Sequence, residues 1–575
     1  MRLPLLQRAK RGAAPRSWLA TSPGWVGRLL LWLAPLSFLA VFFFMPFARI
    51  LAYSFSWEAL SAGNLQLALH TLGFTLYQAV LSTLLTLLVG LPAAYLMARF
   101  AFPGKSVLRA LTAVPFMLPT VVVAAGFNAL LGPRGLMNLL LMRGLSINTP
   151  PITFVGTLGA ILLAHVFYNT TIVIRIVGNS LSRFDPKLEQ AARSLGADRR
   201  RLWWHVVLPL LRPALLAAAV LVFLFDFTSF GVILLLGGPS FATLEVEIYV
   251  QSLYYLNLPL AALLALIQLA CTLIFSIVYT RVITASTVQT APRSAEGNLR
   301  GPSSLREKLF VSAMVLVISL LFVLPMAALP IRSVSQLEAN RGQRGEVAPG
   351  FTTQYYTELF VNRRNSITYV PPFEAALNSL GYAAATVILS LAMGFPAAWG
   401  LVKPGPLERV LDPILILPLG ASAVTLGLGF IVSFGRWLIH PWMVPLAHTL
   451  VALPFVIRTL QPALATIPAR LRQAAASLGA SPFKVWQTVD WPILRRATLS
   501  AATFAFTISL GEFGATALIS RPEYPTIPIA IYRFLSQPGG LNYGQAMAMA
   551  TLLMALAAAG IFLIERSRLP GAGEF

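Results

Sequence analysis

The stretch EQAARSLGADRRRLWWHVVLPLLRPAL, residues 189–215, places five arginines, a histidine and a glycine between two long apolar runs. A near copy, RQAAASLGASPFKVWQTVDWPILRRATL, occupies residues 472–499. The same charged segment therefore occurs twice in a chain that is otherwise apolar, and this repetition decides the organisation that we predict.

The composition places the chain in a membrane. Of the 575 residues, 57% are hydrophobic and only 11% are charged, whereas about 25% are charged in an ordinary soluble domain. Apolar runs of about 20 residues or more, the length that crosses a hydrocarbon core, occur near 28–53, 71–98, 109–132, 155–178, 210–237, 257–281, 309–331, 373–400, 409–434, 442–462, 497–520 and 543–565. We predict an all-α polytopic membrane protein with about twelve transmembrane helices.

The basic residues behind the net charge of +23 indicate how the chain is oriented in the membrane, and they do not indicate nucleic-acid binding. Residues 1–27 hold five basic residues and no acid, so the positive-inside rule places this N-terminus in the cytoplasm. An even number of spans then places the tail, residues 567–575, on the same side. We expect a multi-pass protein of the cytoplasmic membrane that contacts lipid and binds no nucleic acid.

The two halves of the chain are an internal repeat. The matched pairs, all 283 positions apart, include His165 with His448, Arg175 with Arg458, Gly196 with Gly479, Pro209 with Pro492, Phe230 with Phe513 and Tyr249 with Tyr532. An ungapped register of this length indicates duplication, and six spans in each copy make the two units parallel. We predict two six-span units at 28–284 and 309–566, joined by a cytoplasmic linker at 285–308.

Each charged segment has the pattern of a short docking helix. Leu188, Ala191, Ala192 and Leu195 recur at helical spacing, and Leu471, Ala474, Ala475 and Leu478 repeat them. Gly196 and Gly479 suit the left-handed residue that ends a helix, and Pro209 and Pro492 suit the first turn of the next span. One alternative is a loop that lies on anionic lipid; repetition in both halves favours a two-fold partner.

This spacing resembles the EAA motif of type I ABC importer permeases: Glu-Ala-Ala, three residues, Gly, nine residues, an aliphatic residue, one residue, then Leu-Pro. Both copies meet the spacing, although Gln190 and Gln473 stand in place of the motif's Glu and Trp491 in place of its Leu. The resemblance implies a coupling helix that binds a cytoplasmic ATPase. The candidate coupling residues are Glu189, Gln190, Ala191, Ala192, Gly196, Pro209, Gln473, Ala474, Ala475, Gly479 and Pro492.

The resemblance extends to the fused double permeases of iron(III) and thiamine importers, to which LLLGGPSFATLEVEIYVQSLYYL and SLGEFGATALISRPEYPTIPIAIYRFL are similar. It implies two copies of an ABC ATPase and an extracytoplasmic solute-binding protein as partners. A small solute of the iron(III) or thiamine class is the implied cargo, and the motifs do not choose between the two.

The chain itself lacks the residues for ATP hydrolysis. The nearest match to the phosphate-binding pattern GxxxxGK[ST] is PGKS at 103–106, where Arg99 stands in the position of the first Gly. No His or acidic cluster has catalytic or metal-binding spacing, so we expect a transport subunit that is not an enzyme and holds no cofactor. The alternative is an ion-coupled secondary transporter, which also uses internal repeats and intramembrane acids.

Two acids lie within predicted spans, where charge is costly. Asp226 lies in LVFLFDFTSFG and Glu512 in SLGEFGATAL, and Glu512 aligns with Ser229. One interpretation is that Asp226, Ser229 and Glu512 line a translocation path and favour a cationic solute. The other is that the acids are buried and satisfied by neighbouring hydroxyls or backbone donors, which holds the bundle together.

Overall fold

The computed structural model describes residues 25–285, 299–336, 350–362, 370–402 and 404–567. Most of the predicted N-terminal segment 1–27, of the linker 285–308 and of the tail 567–575 lies outside these ranges. Within them the chain is almost entirely α-helical, and its strands are the short antiparallel pair β1, Ser335–Gln336, and β2, Gly350–Phe351. The predicted all-α class is confirmed.

Thirteen helices lie in the described part of the first half. They are α1 Trp25–Leu39, α2 Met45–Ser54, α3 Ala62–Arg99, α4 Lys105–Met117, α5 Thr120–Leu131, α6 Leu136–Leu145, α7 Leu158–Ser182, α8 Pro186–Ser194, α9 Arg199–Leu202, α10 Leu208–Phe227, α11 Gly231–Leu236, α12 Leu244–Leu253 and α13 Leu258–Ala285. π-helical turns at Ala40–Phe44 and Trp203–Val207 precede α2 and α10, and a 3-10 turn at Pro239–Phe241 precedes α12.

Twelve helices lie in the described part of the second half. They are α14 Leu305–Ser333, α15 Gln354–Thr357, α16 Pro372–Gly400, α17 Pro406–Gly420, α18 Ala423–Phe434, α19 Met443–Ala465, α20 Ala469–Ser477, α21 Pro482–Val485, α22 Trp491–Gly511, α23 Gly514–Ile519, α24 Ile527–Leu535 and α25 Gly540–Ser567. A π-helical turn at Trp486–Asp490 precedes α22, and 3-10 turns occupy Glu358–Phe360 and Gly435–Ile439.

Among the described residues, ten helices are long and apolar enough to cross a membrane, and a bent pair raises the count to eleven. The predicted number of twelve is therefore not confirmed. The missing candidate is the predicted span 497–520, which corresponds to α22 and α23. Arg495 and Arg496 lie in the second turn of α22, and many of its later residues are Ala, Ser or Thr, so its mean hydropathy is low.

Four predicted spans are in fact interrupted. The span at 109–132 divides into α4 and α5 at Leu118-Pro119, and the span at 409–434 divides into α17 and α18, where the chain bends by 94°. The spans at 210–237 and 497–520 break after Phe227 and after Gly511. Hydrophobicity alone did not reveal these breaks because the residues on both sides of each are apolar.

The first helices of the two halves are exchanged. α1 packs against α16, and α2 packs against α18, both in the second half, as well as against α13 of its own half. The converse holds for α14, which packs against α4 and α5 of the first half and α25 of its own. Each half is therefore completed by a helix of the other.

The repeat is visible in the packing of the long helices. α3 crosses α7 at Gly90, where a Cβ atom would lie 2.7 Å from the Cβ of Val173. α16 crosses α19 in the same way at Gly394, where a Cβ would lie 2.6 Å from Cγ1 of Val456. Only glycine allows these helices to approach so closely, and the two glycines begin the similar stretches GLPAA, residues 90–94, and GFPAA, residues 394–398.

Candidate docking loops and buried polar clusters

The first docking loop, residues 186–207, begins with the short helix α8. The side chain of Asp185 caps its N-terminus by accepting a hydrogen bond from the Lys187 N–H over 3.0 Å. The helix ends where Gly196 takes a left-handed φ of +81° and the Ala197 N–H donates to the Ala192 carbonyl over 3.0 Å. This is the predicted glycine stop.

The second docking loop, residues 469–490, has the same construction. α20 ends where Gly479 takes a φ of +82° and the Ala480 N–H donates to the Ala475 carbonyl over 3.1 Å. Pro209 and Pro492 each lie in the first turn of the long helix that follows, α10 and α22, as the sequence predicts. The two loops therefore share one backbone geometry.

Most of the predicted contact face of each loop is exposed, although Ala192 and Ala475 are half-buried. Leu195 and Leu478 are each 89% exposed, and Gln190, Ala191, Gln473 and Ala474 are exposed too. A Cβ atom built on Gly196 or Gly479 would meet no atom within 4 Å. Two matched apolar surfaces thus project from the bundle with room for a partner to approach the helix backbone.

A charged side chain at the same position of each docking loop contacts another helix of its own half, in the first loop through an ion pair and in the second through an aromatic ring. Glu189 pairs with Arg99 at the end of α3. The matched residue Arg472 has the opposite charge; its Nε donates to Oδ1 of Asp490 over 2.7 Å, and its guanidinium lies 5.2 Å from the ring centre of Trp399 in α16. The same position is therefore braced in both halves, with the charges reversed.

The sequence pattern did not predict these braces. It placed Glu189 among the candidate coupling residues and assigned no role to Arg472. The structure gives that carboxylate an intramolecular partner 90 positions away, which no local pattern indicates.

The segment PGKS at 103–106, which partly resembles a phosphate-binding loop, has a structural role. Lys105 donates to the Phe100 carbonyl over 2.7 Å, close after α3. Partial burial, with a smaller contribution from the charge of Arg109, lowers the pKa of Lys105 to about 8. The Lys105 amine therefore stabilises the backbone turn before α4 through this hydrogen bond.

A buried polar cluster surrounds His165 in the first half. Its Nδ1 lies 2.9 Å from Oγ of Ser82 and 3.3 Å from Oδ1 of Asp226, and its Nε2 lies 2.9 Å from Oγ of Ser229. Asn169 donates to the same Asp226 oxygen over 2.6 Å. The other oxygen, Oδ2, accepts no hydrogen bond from the described residues, although Asp226 is fully buried.

The matching cluster surrounds His448 in the second half. Nδ1 lies 2.7 Å from Oγ of Ser509, and Nε2 lies 2.8 Å from Oγ1 of Thr516 and 3.2 Å from Oε2 of Glu512. Glu512 also accepts hydrogen bonds from the N–H groups of Ala515 and Thr516, over 2.9 and 3.0 Å. Its carboxylate therefore caps α23.

The acid and the serine have exchanged places between the clusters. Asp226 aligns with Ser509, and both lie beside the Nδ1 atom of their histidine. Ser229 aligns with Glu512, and both lie beside Nε2. The register of 283 positions aligns both pairs, but it does not show that they surround a histidine, since His165 and His448 lie more than 60 positions before them.

The three residues assigned to a possible path thus lie in two separate clusters, each inside one half. Their contacts are those of the second interpretation, buried acids held by hydroxyls, amides and backbone donors. A role in translocation stays a prediction. Among the residues that the structure describes, no group of three or more His, Cys, Asp or Glu side chains could hold a metal ion.

The brace of the first docking loop predicts energetic coupling between Arg99 and Glu189. We expect Arg99→Gln and Glu189→Gln each to lower the free energy of unfolding by about 1–3 kcal/mol, because each leaves a partly buried charge without its partner. The double variant should cost less than the sum of the two, measured by denaturation in detergent. The more exposed pair Arg458–Asp412, with side chains 44% and 34% exposed, is the control and should couple by less than about 1 kcal/mol. Additive costs at Arg99 and Glu189 would contradict the brace.

The exchanged clusters predict that one arrangement can be converted into the other. Asp226→Ser should destabilise the protein by about 1–3 kcal/mol through lost hydrogen bonds, and Ser229→Glu should cost at least about 3 kcal/mol by burying a second acid. The double variant reproduces the serine and acid positions around His448 and should be more stable than either single variant. Thermal unfolding of the purified protein measures this, and a double variant less stable than both single variants would refute the exchange.

Comparison with known proteins relates these features to transport permeases. Residues 90–287, which include the first docking loop and the His165 cluster except Ser82, match the binding-protein-dependent transport system inner membrane component. The chain is 29% identical over 502 residues to the thiamine transport system permease protein ThiP of Brucella abortus (strain 2308), covering 86% of this chain and 87% of that protein. It is 27% identical to ThiP of Escherichia coli (strain K12) over 515 residues, covering 87% and 89% of the two chains.

A third relative is the probable ABC transporter permease protein y4fN of Sinorhizobium fredii (strain NBRC 101917 / NGR234), 27% identical over 506 residues and 86% of each chain. All three relatives are named as permeases, and none as an enzyme. The family model matches part of the first half, the similarity to these permeases extends over most of both halves, and the multi-pass helical architecture agrees with both findings.

Proposed function

We propose that the chain is the transmembrane subunit of an ATP-driven importer that carries thiamine, and that a separate ATPase drives it through the two docking loops. The observation that carries the proposal is the pair of exposed loop surfaces at Gly196 and Gly479, which share one backbone geometry. The thiamine permeases among its relatives support the substrate.

Two copies of an ABC ATPase fit the arrangement. A homodimeric ATPase presents two equal surfaces, and the chain offers one docking helix in each half. The resemblance to the EAA motif assigns contact to Ala191 and Ala192 in the first loop and to Ala474 and Ala475 in the second. With glutamine at positions 190 and 473, contact rests on the alanine faces and exposed leucines. The ion pair of Glu189 with Arg99 and the contact of Arg472 with Trp399 hold the loops in place.

The substrate would arrive from the opposite side, delivered by an extracytoplasmic binding protein. The basic N-terminal segment and the docking loops are then cytoplasmic, with both termini on that side. The two permease units, 28–284 and 309–566, would move relative to each other, and the exchanged helices α1 and α14 would keep them together. ATP is used only by the partner, so this chain needs no cofactor.

The rival functions make different demands on the chain. An ion-coupled secondary transporter has no use for two exposed docking helices. A ferric importer of the same family would use the loops equally well, so uptake of thiamine and of ferric ion must be compared directly in the wild-type complex.

The docking proposal predicts loss of the ATPase when either glycine is replaced. Gly196→Val and Gly479→Val should each lower ATP-driven thiamine uptake and retention of the ATPase by at least about tenfold, the effect of about 1.4 kcal/mol in binding. The reason is that valine strains a left-handed residue and adds bulk to the contact face. Uptake by intact cells and co-purification in mild detergent are the measurements.

Gly156→Val is the matched control. Gly156 has a φ of +84° with no atom within 4 Å of a built Cβ, but it lies outside the docking loops. The control variant should retain the ATPase, which separates the contact face from backbone strain alone. Retention of the ATPase by both loop variants would contradict the docking role, and uptake that survives ATP depletion but follows an ion gradient would favour the secondary transporter.

A further inference from the structure

Four aromatic side chains meet where the two halves face each other. We define the aromatic quartet as Phe230 and Tyr249 of the first half with Phe513 and Tyr532 of the second. The Phe230 and Phe513 rings are stacked, with centroids 5.4 Å apart and planes inclined by 26°. Tyr249 lies 5.4 Å from Phe230, and Tyr532 lies 5.7 Å from Phe513, each edge-on.

The quartet obeys the internal repeat. Phe230 and Phe513 are matched positions, as are Tyr249 and Tyr532, so the stack joins two equivalent points across the interface. Each phenylalanine follows the break in a long helix, α10 or α22. Because α10 has 20 residues at 1.5 Å each, the stack lies roughly 30 Å from the docking loops, at the opposite end of these helices.

The interface at the quartet is close-packed. Phe230 and Phe513 are 7% and 3% exposed. A Cβ atom on Gly231 would come within 2.5 Å of Oγ1 of Thr120 and 3.2 Å of a ring carbon of Phe513. A Cβ on Gly511 would lie 3.1 Å from Cγ of Pro119. No solute passes between the halves here unless they separate and the two rings part.

The chemistry of the parted rings favours one class of solute. The face of a phenylalanine ring attracts cations and stacks on planar rings, and two such faces oppose each other. Buried acids flank both rings along the chain: Asp226 four residues before Phe230, and Glu512 directly before Phe513. A ferric ion instead requires oxygen or nitrogen ligands, which phenylalanine does not provide.

We propose that, when the two halves separate, Phe230 and Phe513 hold a planar aromatic organic cation between their ring faces. The aromatic quartet is then both the closed barrier on the side away from the docking loops and a transient binding site that selects the substrate. This inference rests on the proposed function for the transport cycle, and it adds the residues that recognise the substrate.

The first experiment separates ring chemistry from bulk. In the complex with its ATPase and binding protein, reconstituted in liposomes, Phe230→Leu and Phe513→Leu together should raise the half-saturation concentration for thiamine uptake about tenfold or more, since desolvated ring–cation contacts are lost. ATP hydrolysis stimulated by the binding protein should continue. The variant with tyrosine at both positions keeps the rings and should restore a low half-saturation concentration.

The control for this experiment is Phe223→Leu. Phe223 lies on the same helix, α10, and packs edge-on against Phe275 of its own half at 4.7 Å. The Phe223→Leu variant should leave the half-saturation concentration for thiamine uptake unchanged. An unchanged value in the double leucine variant, or no recovery with tyrosine, would overturn the binding site.

The second experiment tests the barrier without depending on ring chemistry. In a chain with Cys271→Ala, Phe230→Cys and Phe513→Cys should cross-link across the halves with a short reducible reagent. The cross-link should stop uptake, and reduction should restore it. Phe223→Cys with Phe275→Cys, a pair within one half, should cross-link without stopping uptake.

Uptake that continues with the halves cross-linked at the quartet would overturn the barrier. The proposed function is tested separately by the wild-type complex: if it takes up no thiamine with ATP, that proposal fails before any variant is compared. If the wild type transports thiamine and the leucine and cysteine variants behave like it, only the present inference fails.

Discussion

Backbone that leaves a helix inside apolar surroundings must find its hydrogen bonds within the protein, because lipid offers none. Four spans of this chain break, at 118–119, 228–230, 421–422 and 512–513, and polar side chains satisfy the breaks. Glu512 accepts from two N–H groups at the start of α23, and Gln78 donates to the Asp226 carbonyl where α10 ends. Ser422 caps α18 and donates to Oε2 of the buried Glu245 over 3.0 Å.

This requirement explains why charge is tolerated in the bundle and where it lies. Asp226 and Glu512 lie at or beside breaks, and Glu245 accepts from Ser422 at a third, where backbone and side-chain donors need acceptors. The histidines, one in each half, complete the clusters. Duplication preserved the histidine positions and the backbone breaks, while the acid and its partner serine exchanged places. Each cluster keeps one acid and two hydroxyls beside its imidazole, so the arrangement is shared by the two halves although the residue types at single positions are not.

The same pattern of shared geometry and altered residues occurs in the docking loops. Gly196 and Gly479 end their helices with almost identical φ angles, yet the brace at the preceding turn has glutamate in one half and arginine in the other. A partner that docks on both loops therefore meets equal backbones and unequal charges. The exchanged helices α1 and α14 tie the halves together at the periphery, and the aromatic quartet brings them into contact at the centre.

The sequence by itself determined the features that depend on composition and on local spacing. Long apolar runs require helices in a membrane, the offset of 283 positions reveals the duplication, and Gly196 and Pro209 mark helix ends because their backbone preferences are intrinsic. It did not determine the breaks within spans, the pairing of Glu189 with Arg99, the histidine-centred clusters or the stacking of Phe230 on Phe513. These depend on which helices become neighbours and at what depth. The length of an apolar span can be read from its own residues. The contacts that stabilise a break in the span, or that pack it against the other half, come from residues distant in the chain. Only tertiary packing brings those residues together.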